Sequence, residues 1–289
     1  MKKERKPVAA FCYDFDKTLT PDDMQAQGYI QAIGYDVAKF WEESNRLAVE
    51  HQMDCNLAYM YRMVEGAEGR LIVNRSALTD YGARVKLYEG VEDWFDRIRA
   101  YGEQKGIEVE HYIISSGLKE MIEGTLPARQ GAFRAIYASS FYFNEKGVAK
   151  WPAQAVNFTN KTQFLFRISK GTTDVNDDRV NDYFPESELR VPFRNFVYIG
   201  DSATDIPCMK LVNSYGGHAI GVYDGARGNT EAVFRMLREN RIRYFTAADY
   251  RKGSELESLV FRILDKIAAD EVLIRFTERN RACLEEKND

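Results

Sequence analysis

The stretch Val8–Thr20, VAAFCYDFDKTLT, constrains the fold more than any other part of the chain. A run of apolar, strand-forming residues is followed directly by the carboxylates of Asp14 and Asp16, and then by Thr18 and Thr20. Burying carboxylates costs free energy unless a cation or hydrogen bonds compensate them. The pair is therefore a surface turn, a strained segment, or a cation site at the carboxyl end of a buried strand. The other sequence motifs, described below, favour one of these three interpretations.

Short apolar and β-branched runs alternate with helical patterns along most of the chain. Such alternation is typical of a parallel sheet with crossover helices, so we expect an α/β protein with a Rossmann-like core. The predicted strands are Val8–Phe15, Val109–Ser115, Ala135–Ser139, Phe196–Ile199 and His218–Val222. The predicted helices are Gly90–Tyr101, Leu118–Thr125, Thr162–Ser169 and Asn229–Glu239.

Residues 22–86 have a different pattern, with helical spacing and no strand signal of any length. Gly34 and Gly66 are predicted helix ends. This segment is therefore predicted to be a small all-helical cap domain, inserted into an α/β core of residues 1–21 and 87–289. The positions with helical spacing are Val37, Phe40, Trp41, Ser44, Leu47 and Ala48, then Leu57, Met60, Tyr61 and Val64.

Composition excludes several classes of protein. The formal net charge of −4 argues against a nucleic-acid protein that relies on broad phosphate neutralisation. No run approaches the roughly 18 apolar residues that a membrane span needs. Asp14 interrupts the first apolar run early, so we expect no signal peptide. The spacing of the four cysteines fits neither a metal site nor a disulfide framework, and a cytoplasmic location is expected.

Two further predicted strands also end in polar residues. HYIISSG ends in Ser115, Ser116 and Gly117, and FVYIGDSATD carries Asp201 and Asp205. The carboxyl ends of parallel strands lie at one edge of the sheet, where open α/β folds bind ligands. Together with Asp14 and Asp16, these residues predict one shared site, which favours a cation site over a turn.

DFDKTLT, IISSG and GDSATD resemble, in order and spacing, the signature motifs of the haloacid dehalogenase-like hydrolase superfamily. The first matches its aspartate-x-aspartate-x-threonine motif at Asp14, Asp16 and Thr18. The insertion after this motif is similar in position to the helical cap of phosphoserine phosphatase-like members, and FYFNEKG followed by NKTQFL also resembles that branch. The dehalogenase branch lacks the second acid, so Asp16 favours phosphoryl transfer over carbon–halogen cleavage.

The carboxylates suit phosphoryl transfer. Asp14 is the candidate nucleophile, and Asp16 the candidate acid and base that protonates the leaving oxygen and later activates water. Mg²⁺ is the expected cofactor because it prefers oxygen ligands. Its predicted ligands are Asp14, the backbone carbonyl of Asp16 and Asp201, with Asp205 a direct or indirect contributor.

The phosphoryl group needs fixed donors for its oxygens. Ser115, with Ser116 as the alternative, and the backbone N–H groups around Gly117 are predicted to bind it, on the expectation that a helix opens there. The family resemblance also implies a lysine between the second and third motifs. Lys161 and Lys170 both qualify, and Lys161 is preferred because it begins a predicted helix, and helix starts lie at the active edge in such folds.

The leading hypothesis is a Mg²⁺-dependent phosphatase that acts on a small phosphorylated metabolite through an aspartyl-phosphate. A phosphotransferase or mutase on the same core, and a protein that only binds a phosphorylated ligand, remain alternatives. Neither nucleic acid nor a membrane is an expected partner. The oligomeric state and the substrate stay open; six cap residues are candidates to line the pocket: Tyr29, Trp41, Glu42, Arg46, Arg62 and Arg70.

Overall fold

The computed structural model describes residues 6–285, so residues 1–5 and 286–289 of the predicted core lie outside the described part. Seven strands form one sheet in the order β4-β3-β2-β1-β5-β6-β7, and all neighbours are parallel except β3 and β4. The predicted α/β class is confirmed. The strands are β1 Val8–Tyr13, β2 Glu108–Leu118, β3 Ala135–Phe143, β4 Ala149–Gln154, β5 Phe196–Gly200, β6 His218–Tyr223 and β7 Tyr244–Ala247.

Helices cover both faces of the sheet. Alternate residues of β1 point to opposite faces, so Phe11 and Tyr13 belong to one apolar core and Ala10 and Cys12 to another. The α-helices are α1 Tyr29–Ala32, α2 Val37–Glu50, α3 Cys55–Ala67, α4 Arg75–Gly82, α5 Val91–Gln104, α6 Lys119–Gly124, α7 Leu126–Arg129, α8 Thr162–Lys170, α9 Ile206–Ser214, α10 Glu231–Arg238 and α11 Glu255–Glu285. Helices α5 and α11 contribute to the first core, and α8, α9 and α10 to the second.

All five predicted strands are present, but several elements differ from expectation. The strands β4 and β7 and the helix α11 are not among the predicted elements. The two predicted helix ends are close to the observed ones, since Gly66 is the penultimate residue of α3 and Gly34 follows α1 with a φ of 80°. Strand β2 runs on through Gly117 to Leu118, where a register shift against β3 interrupts its pairing. None of the helices in the described chain is both long and apolar enough to cross a membrane.

The register of the central strands brings the three motifs to one edge of the sheet. Tyr13 of β1 is paired with Ile113 of β2 and with Ile199 of β5. Asp14 follows Tyr13 directly, and its N–H donates to the carbonyl oxygen of Ile199 at 3.0 Å. Parallel pairing therefore places the residues after all three strands together, as the sequence predicts.

The helices between residues 22 and 86 rest on this edge through a close backbone contact. A Cβ on Gly82 of α4 would lie 1.8 Å from the carbonyl oxygen of Met121 in α6. A Cβ on Gly124 of α6 would lie 2.0 Å from the carbonyl oxygen of Thr79. Only glycine allows the two helices to approach this closely. The contact fixes α4 against the helix that follows the second motif.

Candidate active site

Three aspartates converge where β1 and β5 end. Asp14, Asp201 and Asp205 each offer a carboxylate oxygen within 4.8 Å of the others. Asp14 is 5 % exposed and Asp205 is fully buried. Thr18 donates from its hydroxyl to Asp201 Oδ1 at 3.3 Å, which ties the loop after β1 to the third motif.

A buried lysine compensates part of this negative charge. Lys161 is fully buried, and its Nζ lies 2.9 Å from Asp205 Oδ1 and 3.3 Å from Asp14 Oδ1. Tyr198 also donates to Asp205 Oδ1, at 2.8 Å. Lys170 instead donates to the carbonyl oxygens of Val180 and Asp182, at 2.7 and 2.6 Å. The structure therefore brings Lys161, and not Lys170, to the carboxylates.

The donor set suits a divalent cation. Oδ1 of Asp14 is buried and accepts no hydrogen bond in the described structure. Lys161 forms an ion pair with Asp14, but its single positive charge does not balance the three carboxylates of the cluster. Burial, reinforced by the neighbouring Asp205, raises the pKa of Asp14 to about 6. Burial and Asp14 likewise raise the pKa of Asp201. A cation of charge +2 bound to oxygen ligands would offset this excess of negative charge.

Asp16 is oriented differently from these three residues. Its Oδ1 accepts a hydrogen bond from the backbone N–H of Met24 at 2.7 Å, and its side chain is not part of the three-aspartate cluster. Burial, then the charges of Asp23 and Asp14, raises the pKa of the Asp16 carboxyl. The carboxylate thus lines the same cavity as Asp14 but lies apart from the three-aspartate cluster.

The second motif forms an irregular end of β2 rather than the start of a helix. The predicted helix Leu118–Thr125 is present as α6, which begins one residue later at Lys119, so the N–H groups around Gly117 belong to the end of β2. Ser115 is fully buried, and its Oγ accepts from the N–H of Gly117 at 3.0 Å. The Oγ of Ser116 is buried without a partner. A Cβ on Gly117 would lie 2.3 Å from Cε of Met24 and 2.9 Å from Asp16 Oδ2, so a larger residue here would displace these side chains.

These residues line one cavity of about 190 Å³, and residues of the helical segment border it on the far side. Residues of the first, second and third motifs line the cavity. Lys161 contacts Asp14 but is not among the residues that line the cavity. The lining residues are Asp14, Asp16, Lys17, Asp23, Gln25, Trp41, Asn56, Tyr59, Ser115, Ser116, Gly117, Asp201, Ser202 and Thr204.

Of the six cap residues proposed to line the pocket, Trp41 does so. Tyr29 is buried inside the helical segment, and its hydroxyl donates to the carbonyl of Met63 at 3.0 Å. Glu42 and Arg46 are exposed, Arg62 pairs with two glutamates, and Arg70 donates to the carbonyl of Ile33; none of these lines the cavity.

Asn56 and Tyr59 are lining residues that the sequence prediction missed. The amide of Asn56 donates to the carbonyl oxygen of Val156 at 2.7 Å, and the hydroxyl of Tyr59 donates to that of Ser116 at 2.8 Å. A usable signal was present for Asn56, because it shares the buried i, i+4, i+7 stripe of α3 with Met60 and Met63. A polar side chain on a buried face often contacts another element.

Comparisons with known proteins agree with the motifs. A profile of the haloacid dehalogenase-like hydrolases matches residues 11–210. An uncharacterized protein of Borreliella burgdorferi is 28% identical over 277 residues, covering 88% of this chain and 95% of that protein.

Solved structures share the fold. A haloacid dehalogenase family hydrolase of Salmonella enterica serovar Typhi superposes with a TM-score of 0.58 at 18% identity, covering 91% of this chain and 73% of that one. A probable phosphoserine phosphatase of Vibrio cholerae gives a TM-score of 0.55 at 12% identity, with coverages of 92% and 68%. The predicted family is confirmed: the chain belongs to the haloacid dehalogenase-like hydrolases.

Proposed function

We propose that the protein is a Mg²⁺-dependent phosphatase that hydrolyses a small phosphate monoester through an aspartyl-phosphate on Asp14. The observation that carries the proposal is the convergence of Asp14, Asp16, Ser116 and Asp201 on one small cavity that residues of the helical segment also line. A structural neighbour named as a probable phosphoserine phosphatase supports the same reaction class.

Asp14 is placed to act as the nucleophile. Its carboxylate lines the cavity and is oriented by Lys161 from below. In the first step a carboxylate oxygen of Asp14 forms a bond to phosphorus while the bond from phosphorus to the alcohol oxygen breaks. In the second, water attacks the phosphorus and releases phosphate, which regenerates Asp14. Lys161 keeps Asp14 ionised and fixed, because it contributes a permanent charge inside the protein.

Asp16 is the proposed acid and base. It lines the same cavity as Asp14, and the N–H of Met24 holds its carboxyl in place. It donates a proton to the departing alcohol oxygen and then takes one from the attacking water. Met24 follows the cap's first residues, so the position of this acid depends on the start of the helical segment.

Mg²⁺ would be held by Asp14, the backbone carbonyl of Asp16, and Asp201, where it would neutralise charge on the phosphoryl oxygens. Asp205 has its Oδ1 occupied by Lys161 and Tyr198, and its Oδ2 accepts from Ser202 at 3.2 Å. Its proposed role is to position Lys161 and the loop that carries Asp201. Phosphoryl oxygens would meet the free hydroxyl of Ser116 and the N–H groups of the irregular end of β2.

Residues 22–86 are proposed to be a cap domain that covers the site. Five of its residues line the cavity, and Asn56 and Tyr59 bind core carbonyls of Val156 and Ser116. Cap closure would exclude water during phosphoryl transfer and select the leaving group. A cytoplasmic location stays a prediction.

The decisive experiment measures phosphate release from a panel of monoesters with Mg²⁺, with EDTA, and in the Asp14→Asn variant. The matched control is Asp80→Asn, the same substitution at an exposed aspartate. We expect release to require both the metal and Asp14, and the control to retain it. Release that persists in Asp14→Asn would overturn the proposed nucleophile, and product analysis with added alcohols would reveal a phosphotransferase.

The role of Asp16 has a separate test. Asp16→Asn should lose far more activity on an alkyl phosphate than on p-nitrophenyl phosphate, because nitrophenolate leaves without being protonated. A loss of about 10²–10⁴-fold on the alkyl ester is the usual size of a general acid contribution. Equal losses on both esters would contradict the assignment.

A further inference from the structure

The second motif contains a peptide that the sheet does not hold in place. Pairing of β2 with β1 ends at Ile113, and its pairing with β3 is interrupted after Ser115 and resumes at Leu118. Within the described chain, Ser116 and Gly117 therefore pair with neither neighbouring strand. Glycine places little restriction on its own backbone angles. Other contacts must fix the peptide between Ser116 and Gly117, both of which line the cavity.

Side chains supply those contacts at the carbonyl oxygen of Ser116. The hydroxyl of Tyr59 in α3 lies 2.8 Å from this oxygen, and the hydroxyl of Ser139 in β3 lies 3.2 Å from it. The amide of Asn56 is further away, at 3.5 Å, and has a shorter bond to the carbonyl oxygen of Val156, at 2.7 Å. A carbonyl oxygen has two lone pairs, so the two hydroxyls satisfy it fully.

The N–H end of the same peptide contacts the serine predicted to bind phosphate. The N–H of Gly117 donates to Oγ of Ser115 at 3.0 Å, and Ser115 is fully buried. This hydroxyl accepts that bond and still has its own proton to give to a phosphoryl oxygen. A trans peptide is planar, so its C=O and N–H point in opposite directions. The contacts that orient the carbonyl of Ser116 therefore also orient the N–H that holds Ser115.

Tyr59 is held firmly for its contact with Ser116. It is 5 % exposed, lines the cavity, and packs edge-on against the ring of Trp41 with centroids 5.8 Å apart. Burial raises the pKa of the Tyr59 hydroxyl, so the hydroxyl keeps its proton and remains a donor at neutral pH. Since Tyr59 belongs to α3 and Ser116 to the core, this hydrogen bond links the position of the helical segment to the second motif.

Resting on the phosphatase activity proposed above, we propose that Tyr59 is a positioning residue for phosphoryl transfer. Its hydroxyl orients the peptide between Ser116 and Gly117, and thereby arranges the second motif around the phosphoryl group. Tyr59 acts through this peptide, so its effect does not depend on which alcohol the substrate carries. Packing of α3 on the core and completion of the phosphoryl site are then coupled, because the same hydrogen bond serves both.

The first test is Tyr59→Phe, which removes the hydroxyl and keeps the ring that packs on Trp41. With Mg²⁺, kcat/KM should fall about tenfold for p-nitrophenyl phosphate and for alkyl phosphates of different sizes alike, the usual effect of losing one buried hydrogen bond. The affinity for inorganic phosphate, measured by calorimetry, should fall by a similar factor, because phosphate has no alcohol for Tyr59 to contact.

Tyr61→Phe is the matched control. Tyr61 lies on the same helix and is half exposed, and its hydroxyl donates to Glu65 Oε1 at 3.0 Å, away from the cavity. The control therefore loses a tyrosine hydroxyl and a hydrogen bond without touching the second motif. Its kcat/KM and its affinity for phosphate should equal those of the wild type.

Two other roles for Tyr59 predict different results. A purely structural role would lower the Tm of Tyr59→Phe while its kcat/KM and its phosphate affinity stayed equal to those of Tyr61→Phe. Direct contact with the alcohol would make the loss of kcat/KM differ among esters and leave the affinity for inorganic phosphate unchanged. Either result would overturn the inference.

A double-mutant cycle tests whether Tyr59 and Ser139 act on the same carbonyl. Ser139→Ala removes the second hydroxyl, and also an acceptor for the N–H of Val156; that loss is common to the single and double variants and cancels in the cycle. In each single variant the remaining hydroxyl still restrains the carbonyl. The double variant should therefore lose at least about threefold more phosphate affinity than the product of the single losses. Losses that simply multiply would contradict joint action on this peptide.

The binding measurement separates this inference from the proposed reaction. If the wild-type protein hydrolyses no ester, including p-nitrophenyl phosphate, the proposed function fails, while the phosphate affinities of Tyr59→Phe and Tyr61→Phe still decide the role of Tyr59. If it hydrolyses esters and the two variants behave alike, only the positioning role fails. A wild-type protein that neither hydrolyses esters nor binds phosphate would overturn both.

Discussion

Replacing Lys161 by methionine removes a buried cation while keeping a side chain of similar length. Lys161 is fully buried between Asp205 Oδ1, at 2.9 Å, and Asp14 Oδ1, at 3.3 Å. Without it, Asp14 and Asp205 lose their ion-pair partner in metal-free protein. The negative charge of Asp205 also raises the pKa of Asp14, and that of Asp14 raises the pKa of Asp201.

Removing one partner of a buried ion pair costs about 3–5 kcal/mol, because the remaining charge is left uncompensated. For a protein of this size 1 kcal/mol shifts Tm by roughly 2–4 °C, so a decrease of about 10 °C is expected. Part of the lost stability should be recovered at low pH, where the carboxylates take up protons. Another part should return with Mg²⁺, since saturation at 100 times Kd contributes about 2.7 kcal/mol.

The assay is thermal and urea unfolding in EDTA, with Lys170→Met as the matched control. Lys170 also donates two hydrogen bonds, but to the carbonyls of Val180 and Asp182 and near solvent. We expect its replacement to cost no more than about 1–2 kcal/mol. If Lys161→Met is no less stable than Lys170→Met, the reasoning about the buried charge is refuted.

Three further predictions concern stability. Gly124→Ala should destabilise by at least about 1–3 kcal/mol in urea unfolding, because its Cβ would meet the Thr79 carbonyl at 2.0 Å; unchanged stability would contradict the close α4–α6 contact. Burial lowers the pKa of His111 to about 3, so between about pH 7.5 and 5.5 the unfolded state takes up a proton that the folded state does not, and about 1.4 kcal/mol of stability is lost. The His111→Asn variant should lack this loss of stability between the two pH values. Identical curves of unfolding free energy against pH for the variant and the wild type would refute the prediction. Since the pKa of Asp14 is raised to about 6, protons compete with a cation below this pH, and Mg²⁺ should raise Tm more at about pH 8 than at about pH 5.5. An equal shift at both values would argue against binding at this cluster.

Much of the core could be predicted because its signals are local. The apolar runs that end in Asp14, Ser115 and Asp201 are contiguous in the chain, and parallel pairing places such ends together. The elements that the prediction missed have weak or contradictory local signals. Strand β4 contains Pro152, which argues against a strand in the sequence, yet an edge strand tolerates proline. Strand β7 is four residues long. Helix α11 had a usable signal in its first three turns, where Leu256, Val260, Ile263, Leu264 and Ile267 are buried at helical spacing.

The sequence by itself determined the family, the sheet edge and the carboxylates, because each depends on a short motif with fixed local geometry. The tertiary structure places Lys161, the lysine that the sequence prediction preferred, on Asp14, while Lys170 at the other end of α8 donates to the carbonyl of Val180. It also decided that Gln25, Asn56 and Tyr59 face the cavity while Arg62 and Arg70 do not. The rotation of a cap helix against the core depends on side chains distant in sequence, such as the Tyr59–Ser116 contact, and no local pattern records it.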